Sequence, residues 1–535
     1  MDFSLPADPQ QQKCMNSFIG NLLMVALTLA FVGAKGSDSL RVNSFNSFKI
    51  NDFQNNWSAT ENAAGMTFRI PLNISDFNTG VVNGNGNYHR VMEGSDLTDY
   101  LLSTRSYRFI NKIFLSGSFS YHNLQETGAR WNGTYEPYRG NPYILGDSVT
   151  GATYRKENYN LSGGIALNIN PRLSFGCKVE YFVGVGAKQK DPRPENNVVR
   201  LMVNPGIILH RDQFNFGIDA GYTNRKEEVD YMQYITENPD IAYFAFKGFG
   251  FYDKDIDMNY YRFQNEHDVF GGLQLETLKK AFPSLTEFRF RYGHETIDDG
   301  SSAISKEKGG DWDHIDLKFK EIVHFGKGNQ THRFVLNAGY FDGYGSEYTQ
   351  DKIYHGNIVE YVTISSHLKL DRKVLQGELD YTWMQLNNNR QLDWLLNGRV
   401  GAINNQETFY YIPELFSSAY TNCYGLVSLE KDFYHKSFHA APILSVSYSG
   451  NLSNKLDLSD ITEITKRQMK DIYIRDFQYQ TTNLLKVEAQ VVCGFTLKNP
   501  SLMDQLFFNL DYSYFKPNKW FDNYSVLTMK IGFMF

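Results

Sequence analysis

VLTMKIGFMF, residues Val526 to Phe535, is the stretch that decides the fold. Leu527, Met529, Ile531, Phe533 and Phe535 fall on one side of an extended chain. Val526, Thr528, Lys530, Gly532 and Met534 fall on the other. Successive side chains of a strand point to opposite faces. The segment therefore reads as a strand with one wholly apolar face and one mixed face.

Working back from it, the same alternation recurs from about residue 97 onward. Leu173, Phe175, Cys177, Val179, Tyr181, Val183 and Val185 alternate with Ser174, Gly176, Lys178, Glu180, Gly184 and Gly186. Phe508, Leu510, Tyr512 and Tyr514 alternate with Asn509, Asp511 and Ser513. A soluble β-sandwich or propeller would turn the apolar face inward; a membrane barrel would turn it outward. Three features favour the barrel. Runs of a dozen residues exceed the soluble strand of about 5–6. Tight links such as Asn170-Pro171 and His210-Arg211-Asp212 alternate with long ones at 123–157, 226–263 and 450–480. The polar faces also carry charges of both signs, which a dry core rejects.

Candidate hairpins lie at 97–122, 158–187, 197–225, 264–296, 311–345, 372–412, 419–449 and 481–515. Residues 523–535 lack a clear mate, and 77–92 either supplies it or lies inside. The expected fold is an all-β transmembrane antiparallel barrel with long extracellular loops, short periplasmic turns and an even strand number. That number is expected to be about 16, within 14–18. The negative mean hydropathy is no obstacle, because half of each such strand is polar.

The expected organisation is a signal peptide over 1–34, a periplasmic or lumen-inserted segment over 35–76, and the barrel over 77–535. The leader rests on the apolar run NLLMVALTLAFV (Asn21–Val32), with Val32-x-Ala34 placing the cut after Ala34. Cys14 precedes the run. Cys177, Cys423 and Cys493 are too scattered for a disulfide framework or a metal set. No cofactor and no metal are expected. A net charge of -6 on 535 residues gives no sign of nucleic-acid binding.

Inward charges are the candidate lumen lining. The cations are Lys178, Arg289, Arg291, Lys318, Lys320, Arg399, Lys486 and Lys530. The anions are Glu180, Asp219, Glu287, Asp316, Glu378, Asp380, Glu488 and Asp511. A strongly selective pore would show one sign in excess; this balance predicts pairing across a wet lumen. Outward Tyr121, Tyr181, Tyr222, Tyr292, Tyr340, Tyr381, Trp383, Tyr448, Tyr512 and Tyr514 are expected to form interfacial girdles, most of them at the long-loop end. Motifs for zinc hydrolysis, a serine nucleophile or phosphate binding are absent, so no enzyme is expected. The best acid–base cluster is His294, Glu295, Asp298 and Asp299, placed at the outer rim. In the loops, 226–263 is rich in aromatics and acids. Asp460–Arg475 reads as an amphipathic helix capped by Asp460, with Ile461, Ile464, Met469 and Ile472 on its stripe.

Four stretches resemble uncharacterised outer-membrane barrel proteins of the Bacteroidota: GSFSYHNLQETGARWNG (Gly117–Gly133), NPYILGDSVTGATYRKENY (Asn141–Tyr159), DPRPENNVV (Asp191–Val199) and VNPGI (Val203–Ile207). A thinner likeness, WSATENAAGM (Trp57–Met66), resembles the N-terminal hatch of fatty-acid-transporter-type barrels, although Ala63 stands where that pattern has Pro. The resemblance implies insertion among outer-membrane lipid, with the C-terminal Phe535 recognised by the assembly machinery. It also implies work beside a surface lipoprotein or uptake receptor. The expected function is a channel or transport component for small solutes, gated by its own loops. A non-conducting barrel whose loops bind a partner or ligand comes second, and an outer-membrane hydrolase third. The segment 35–76 is too short for the plug of an energised receptor.

Overall fold

The computed structural model describes residues 46–71, 73–148, 152–190, 193–232, 242–255, 259–278, 283–302, 305–356, 358–411, 414–458, 467–497 and 504–535. The expected leader therefore lies outside the described residues. Among the described residues there are two helices, α1 (Ser47–Gln54) and α2 (Lys470–Thr481), with 3-10 turns at Asn56–Ala59 and Ala63–Phe68. In chain order the strands begin with β1 (Ile74–Gly86), β2 (Asp96–Ile110), β3 (Ile113–Ala129), β4 (Ile144–Asp147), β5 (Ala152–Asn170), β6 (Leu173–Lys188), β7 (Arg193–His210) and β8 (Phe214–Met232). Next come β9 (Tyr243–Gly248), β10 (Phe251–Asp255), β11 (Asn259–Thr277), β12 (Ser284–Ser302), β13 (Ser305–Lys327), β14 (Gln330–His355) and β15 (Ile358–Leu386). The last are β16 (Leu392–Tyr411), β17 (Glu414–Lys431), β18 (Phe433–His435), β19 (Phe438–Asp457), β20 (Leu484–Thr496), β21 (Gln505–Pro517) and β22 (Tyr524–Met534).

Nineteen of these strands form one sheet, and β4, β9 and β10 form a second of three. Since β18 is a three-residue piece in the link from β17 to β19, eighteen strands make the wall. Every neighbouring pair is antiparallel, and β22 pairs with both β21 and β1, so the sheet closes. Closure removes the unpaired edge that an open sheet would expose.

The count corrects the expected 16. The eight hairpins and 523–535 supply seventeen of the eighteen strands; the last is β1, whose sequence ISDFNTGVVNGNG is too polar and glycine-rich to show clear alternation. Its partners on both sides hold it extended: Phe77 stands opposite Phe533 and Thr104. The terminal Phe535 exchanges backbone hydrogen bonds with Ser75.

The alternation places the two faces as the sequence predicts. Outward Met529 and Ile531 are exposed, whereas inward Met534 is 2% exposed and packs against Phe48, Ile74 and Phe507. The outward row continues through Leu510, Val446, Val427, Val400 and Leu375. A continuous apolar belt on a closed barrel is a hydrocarbon-facing surface. Each such side chain gains about 1.5–3 kcal/mol by leaving water.

One end carries tight turns. The β2–β3 link is Asn111 and Lys112, both at positive φ (50° and 71°), the twist a two-residue hairpin needs. At the other end the links are uneven. Three are long, 130–151, 233–258 and 458–483, but strands β14 and β15 run for 26 and 29 residues and meet in a short link. The predicted loop at 226–263 is partly strand: its two ends belong to β8 and β11, and β9 and β10 lie between them. The predicted helix at Asp460–Arg475 is displaced: 459–466 lie outside the described residues, and α2 covers Lys470–Thr481. Packing sets its register, with Ile472 and Phe477 buried.

Candidate functional site

Eighteen strands enclose more space than wall side chains fill, and three groups of inserts occupy it. The first is the N-terminal segment, which crosses the lumen at the short-turn end. Lys49 Nζ reaches Glu430 at 2.6 Å, and Asn46 Nδ2 donates to Asp432 at 2.6 Å. Ile50 and Phe53 pack on Met384 and Leu392. Trp57 is 2% exposed among Ile208, Leu285, Ile322 and Val335, and its Nε1 donates to Glu276 at 2.6 Å. Asn62 Nδ2 donates to Gln274 at 3.0 Å. Close approach requires glycine at 176, where a Cβ would overlap the backbone of Ala63 and Ala64. Burial raises the Asp52 carboxyl above its ordinary value against the opposing pull of Arg69, Arg105 and Arg333.

The second group enters from the long-loop end. Residues 130–148 and 242–255 form the small sheet β4–β9–β10, which lies against the wall. Lys188 and Asp147, both 0% exposed, pair at 2.8 Å. Tyr143 donates to Ser346 O at 2.8 Å. The β9–β10 turn needs three positive-φ residues, Gly248, Phe249 and Gly250. It drives Phe249 and Phe251 into a cluster with Trp312, Leu370, Phe409 and Phe416. The aromatics of the described residues 242–252 thus form a packed lid. Helix α2 is the third insert. Tyr473 stacks on Phe249 at 4.4 Å, and Asp476 pairs with Arg90 at 3.3 Å.

Between the two ends lies a chamber. Cavities of about 690 Å³ and 560 Å³ adjoin through Glu180, Met202, Arg291 and Asp316. Its wall holds Lys178, Glu180, Arg289, Arg291, Lys318, Lys320 and Glu378 of the predicted lining. Their charges are paired. Lys178 meets Glu180 at 2.8 Å and Lys318 meets Asp316 at 2.8 Å. Arg289 meets the buried Asp219 at 3.0 Å, and Arg399 meets Asp380 at 3.1 Å. The inner segment takes part, through Glu61 to Lys178 at 3.6 Å and Ala59 O to Lys320 at 2.5 Å. Lys486, Glu488 and Asp511 lie elsewhere on the wall, the first two paired at 2.5 Å. Lys530 borders a separate cavity near Lys49 and Asp52.

The sequence reading missed the roof. Arg139 descends from the 130–148 insert and is clamped by Glu266 at 2.5 Å and by Glu295. Burial pulls its guanidinium down, but those carboxylates outweigh it and hold it above its ordinary value. Burial likewise pushes the nearby Tyr135 phenol up to about 12. No periodic signal marks such loop residues; the clue was the insert's aromatic and charged composition.

The predicted acid–base cluster does not form. Alternation sends Glu295 inward to Arg139 and Asn141, and His294 outward to Asp313 at 2.8 Å. Asp299 is taken by Arg262 at 2.6 Å.

Among the predicted girdle residues, Tyr121, Tyr181, Tyr222, Tyr292, Tyr340, Tyr448, Tyr512 and Tyr514 lie seven to ten residues from the short-turn ends of their strands. Tyr381 and Trp383 differ: they stand beside the 387–391 turn, at the opposite end, near Phe334 and His332.

A model for DUF6850, described as a family of unknown function, matches residues 63–535. The chain belongs to that family. No curated protein matches the DUF6850 barrel. Among solved structures it is similar to the RagAB peptide importer in its closed-closed state, with 7% identity over 87% of each chain and a TM-score of 0.40. It is also similar to the copper transporter OprC, with 9% identity over 86% of this chain and 80% of that one, TM-score 0.40. A third is BauA, the ferric preacinetobactin receptor of Acinetobacter baumannii, with 7% identity over 87% and 80%, TM-score 0.39. The fatty-acid-transporter likeness of Trp57–Met66 has no support in these comparisons. Ala63 and Ala64 pack there under Gly176.

Proposed function

We propose that this DUF6850 barrel is an outer-membrane transport component for small polar solutes, drawn here in a closed state. The observation that carries the proposal is a chamber of about 690 Å³ and 560 Å³ in two adjoining parts, lined by paired charges and stoppered at both ends by the chain's own inserts. A structural core would be apolar at that depth. A lumen lined by hydrated ion pairs instead gives a charged or dipolar solute local partners of either sign. Passage requires displacement of the 46–68 segment on one side and of the sheet β4–β9–β10 with α2 on the other.

Single-channel recording in a planar bilayer tests this. The intact protein should be silent or flicker, and a variant lacking 46–68 and loosened in the outer insert should show steady steps with little ion preference. Silence of that variant, in a barrel that still shows heat-dependent gel mobility, would count against transport.

A second reading rests on a different observation. The β14–β15 hairpin runs fifteen residues past Tyr340, roughly 45–50 Å of strand at ~3.3 Å per residue. It exposes Tyr354 (69%), Ile364 (61%) and Ile358 (53%) beyond the girdle. Apolar side chains there face no lipid, which fits a surface that receives a partner protein.

A further inference from the structure

Three times in the chamber wall a glycine occupies the middle of a rung and its flanking side chains lean over it. Asp219, Gly272 and Arg289 stand opposite one another on β8, β11 and β12. The carboxylate and guanidinium close over the glycine at 3.0 Å. Glu378, Gly401 and Tyr424 repeat the arrangement on β15, β16 and β17, the phenol donating to the carboxylate at 2.9 Å. The third rung is Asp268, Gly293 and His314 on β11, β12 and β13. A Cβ at 293 would overlap His314 Cε1 and Asp268 Oδ1 and stand 2.6 Å from His314 Nε2.

In this third saddle the flanking groups do not meet. His314 Nε2 and Asp268 Oδ1 are 3.9 Å apart, beyond hydrogen-bond reach. Asp268 is 3% exposed and His314 9%. Asp268 Oδ1, the atom that faces His314 Nε2, has no hydrogen-bond partner, and the ring stacks on Phe341 at 5.7 Å; its other nitrogen, Nδ1, also lacks a partner and would carry the ring proton when Nε2 is a ligand. Glu266, two residues back on the same face of β11, brings a carboxylate oxygen within 4.8 Å of both. A buried polar atom left without a partner costs about 1–3 kcal/mol, so the bare Asp268 Oδ1 facing an imidazole nitrogen across a 3.9 Å gap calls for a shared electrophile.

We propose that Glu266, Asp268 and His314 bind one divalent transition-metal cation above Gly293. Two carboxylate oxygens and an imidazole nitrogen form a borderline donor set, suited to Zn²⁺, Mn²⁺ or Fe²⁺. Such ions stand about 2.0–2.2 Å from each donor, so two donors sharing one ion lie roughly 3–4 Å apart. The neighbouring guanidiniums do not fill the gap. Arg291 holds the other oxygen of Asp268, Oδ2, at 3.4 Å, and Arg139 holds Glu266 Oε2 at 2.5 Å. They orient the carboxylates from behind, as outer partners of metal ligands do. Counting Glu295, three carboxylates face two guanidiniums, which leaves negative charge for a cation. All three ligands line the 690 Å³ cavity, from which water or a solute completes the coordination. The site stands whether or not the barrel conducts.

The test uses the full barrel without a histidine tag, refolded in detergent and stripped with a chelator. Co²⁺ is titrated by visible absorption and Zn²⁺ by calorimetry. The wild type should take up one ion per chain. His314→Ala and Asp268→Asn should each weaken binding at least tenfold. Gly293→Ala keeps every ligand and should still abolish binding, because its methyl fills the saddle. His294→Ala, on the outward face, should change nothing. Heat-dependent gel mobility reports whether each variant is folded; if Gly293→Ala is not, the shape-conserving His314→Gln takes its place, with the same tenfold loss expected. Wild-type binding no tighter than that of the folded His314→Ala/Asp268→Asn double variant overturns the proposal.

Discussion

Trp57→Ala should release the inner stopper from its seat. The indole is buried against four aliphatic wall residues and donates to Glu276 at 2.6 Å. Truncating a buried Trp to Ala costs about 3–5 kcal/mol. At ~1.4 kcal/mol per factor of ten, the docked-to-undocked ratio should fall by roughly two to four orders of magnitude. Trp57→Phe separates the two contributions. It keeps most of the ring and loses a hydrogen bond to a charged acceptor, about 1.5–3 kcal/mol. Glu276 retains Asn215 Nδ2 at 2.8 Å in either variant, so no bare carboxylate distorts the comparison. Limited trypsinolysis measures the outcome, because Lys49 and Arg69 bracket the segment and cleavage tracks the open population when redocking is fast. The order of cleavage should be Trp57→Ala, then Trp57→Phe, then wild type, with the barrel itself intact by gel mobility. Cleavage of Trp57→Ala at the wild-type rate would show that the segment is held by something other than this seat.

Gly176→Val should displace Ala63 and Ala64 while leaving β6 paired, so trypsin cleavage within 46–68 should rise without loss of the heat-stable gel form, and conductance should rise only when the outer insert is loosened as well. Lys188→Met removes the ammonium from Asp147 at a site with no exposure and should loosen the outer insert by about 3–5 kcal/mol; the double change with Asp147→Leu should recover much of that, read as protease sensitivity of 130–148. Acid should tighten the inner segment through Asp52. Its folded-state value is raised, so its stabilising effect is full below the unfolded value near 3.8 and is lost as pH rises through the raised one. Asp52→Asn should therefore flatten the difference in 46–68 hydrogen-exchange protection between neutral pH and pH near 3.8, and an unchanged difference would exclude Asp52 as its source. Phe249→Ala, at 1% exposure in the lid cluster, should raise conductance only when combined with loss of the inner segment, since each end seals independently.

The wall was legible because lipid imposes a strict rule. Each outward residue must be apolar and each inward one meets water or polar inserts, so a period of two survives from Leu173 to Phe535. That rule places Lys178, Glu180, Arg289 and Lys318 on the lumen side from spacing alone. It fails where its premise weakens. Strand β1 has few outward apolar groups and is extended because β2 and β22 supply its hydrogen bonds, so counting by alternation leaves it uncertain. The cluster His294–Glu295 misleads for the converse reason: adjacency in sequence means opposite faces in a strand.

The barrel, the sidedness of its strands and the balance of charge inside it can be read from the chain of residues alone, since these depend on local periodicity in two solvents. That inserts pack into the lumen from both ends emerges only in three dimensions. Trp57 meets Glu276, and Arg139 meets Glu266 and Glu295, across 219, 127 and 156 residues of chain. Contacts of that range leave no periodic trace. They are fixed by which inward side chains the closed wall brings opposite an insert. The saddle at Gly293 is of the same kind, because a glycine says nothing until its two neighbours across the sheet are known.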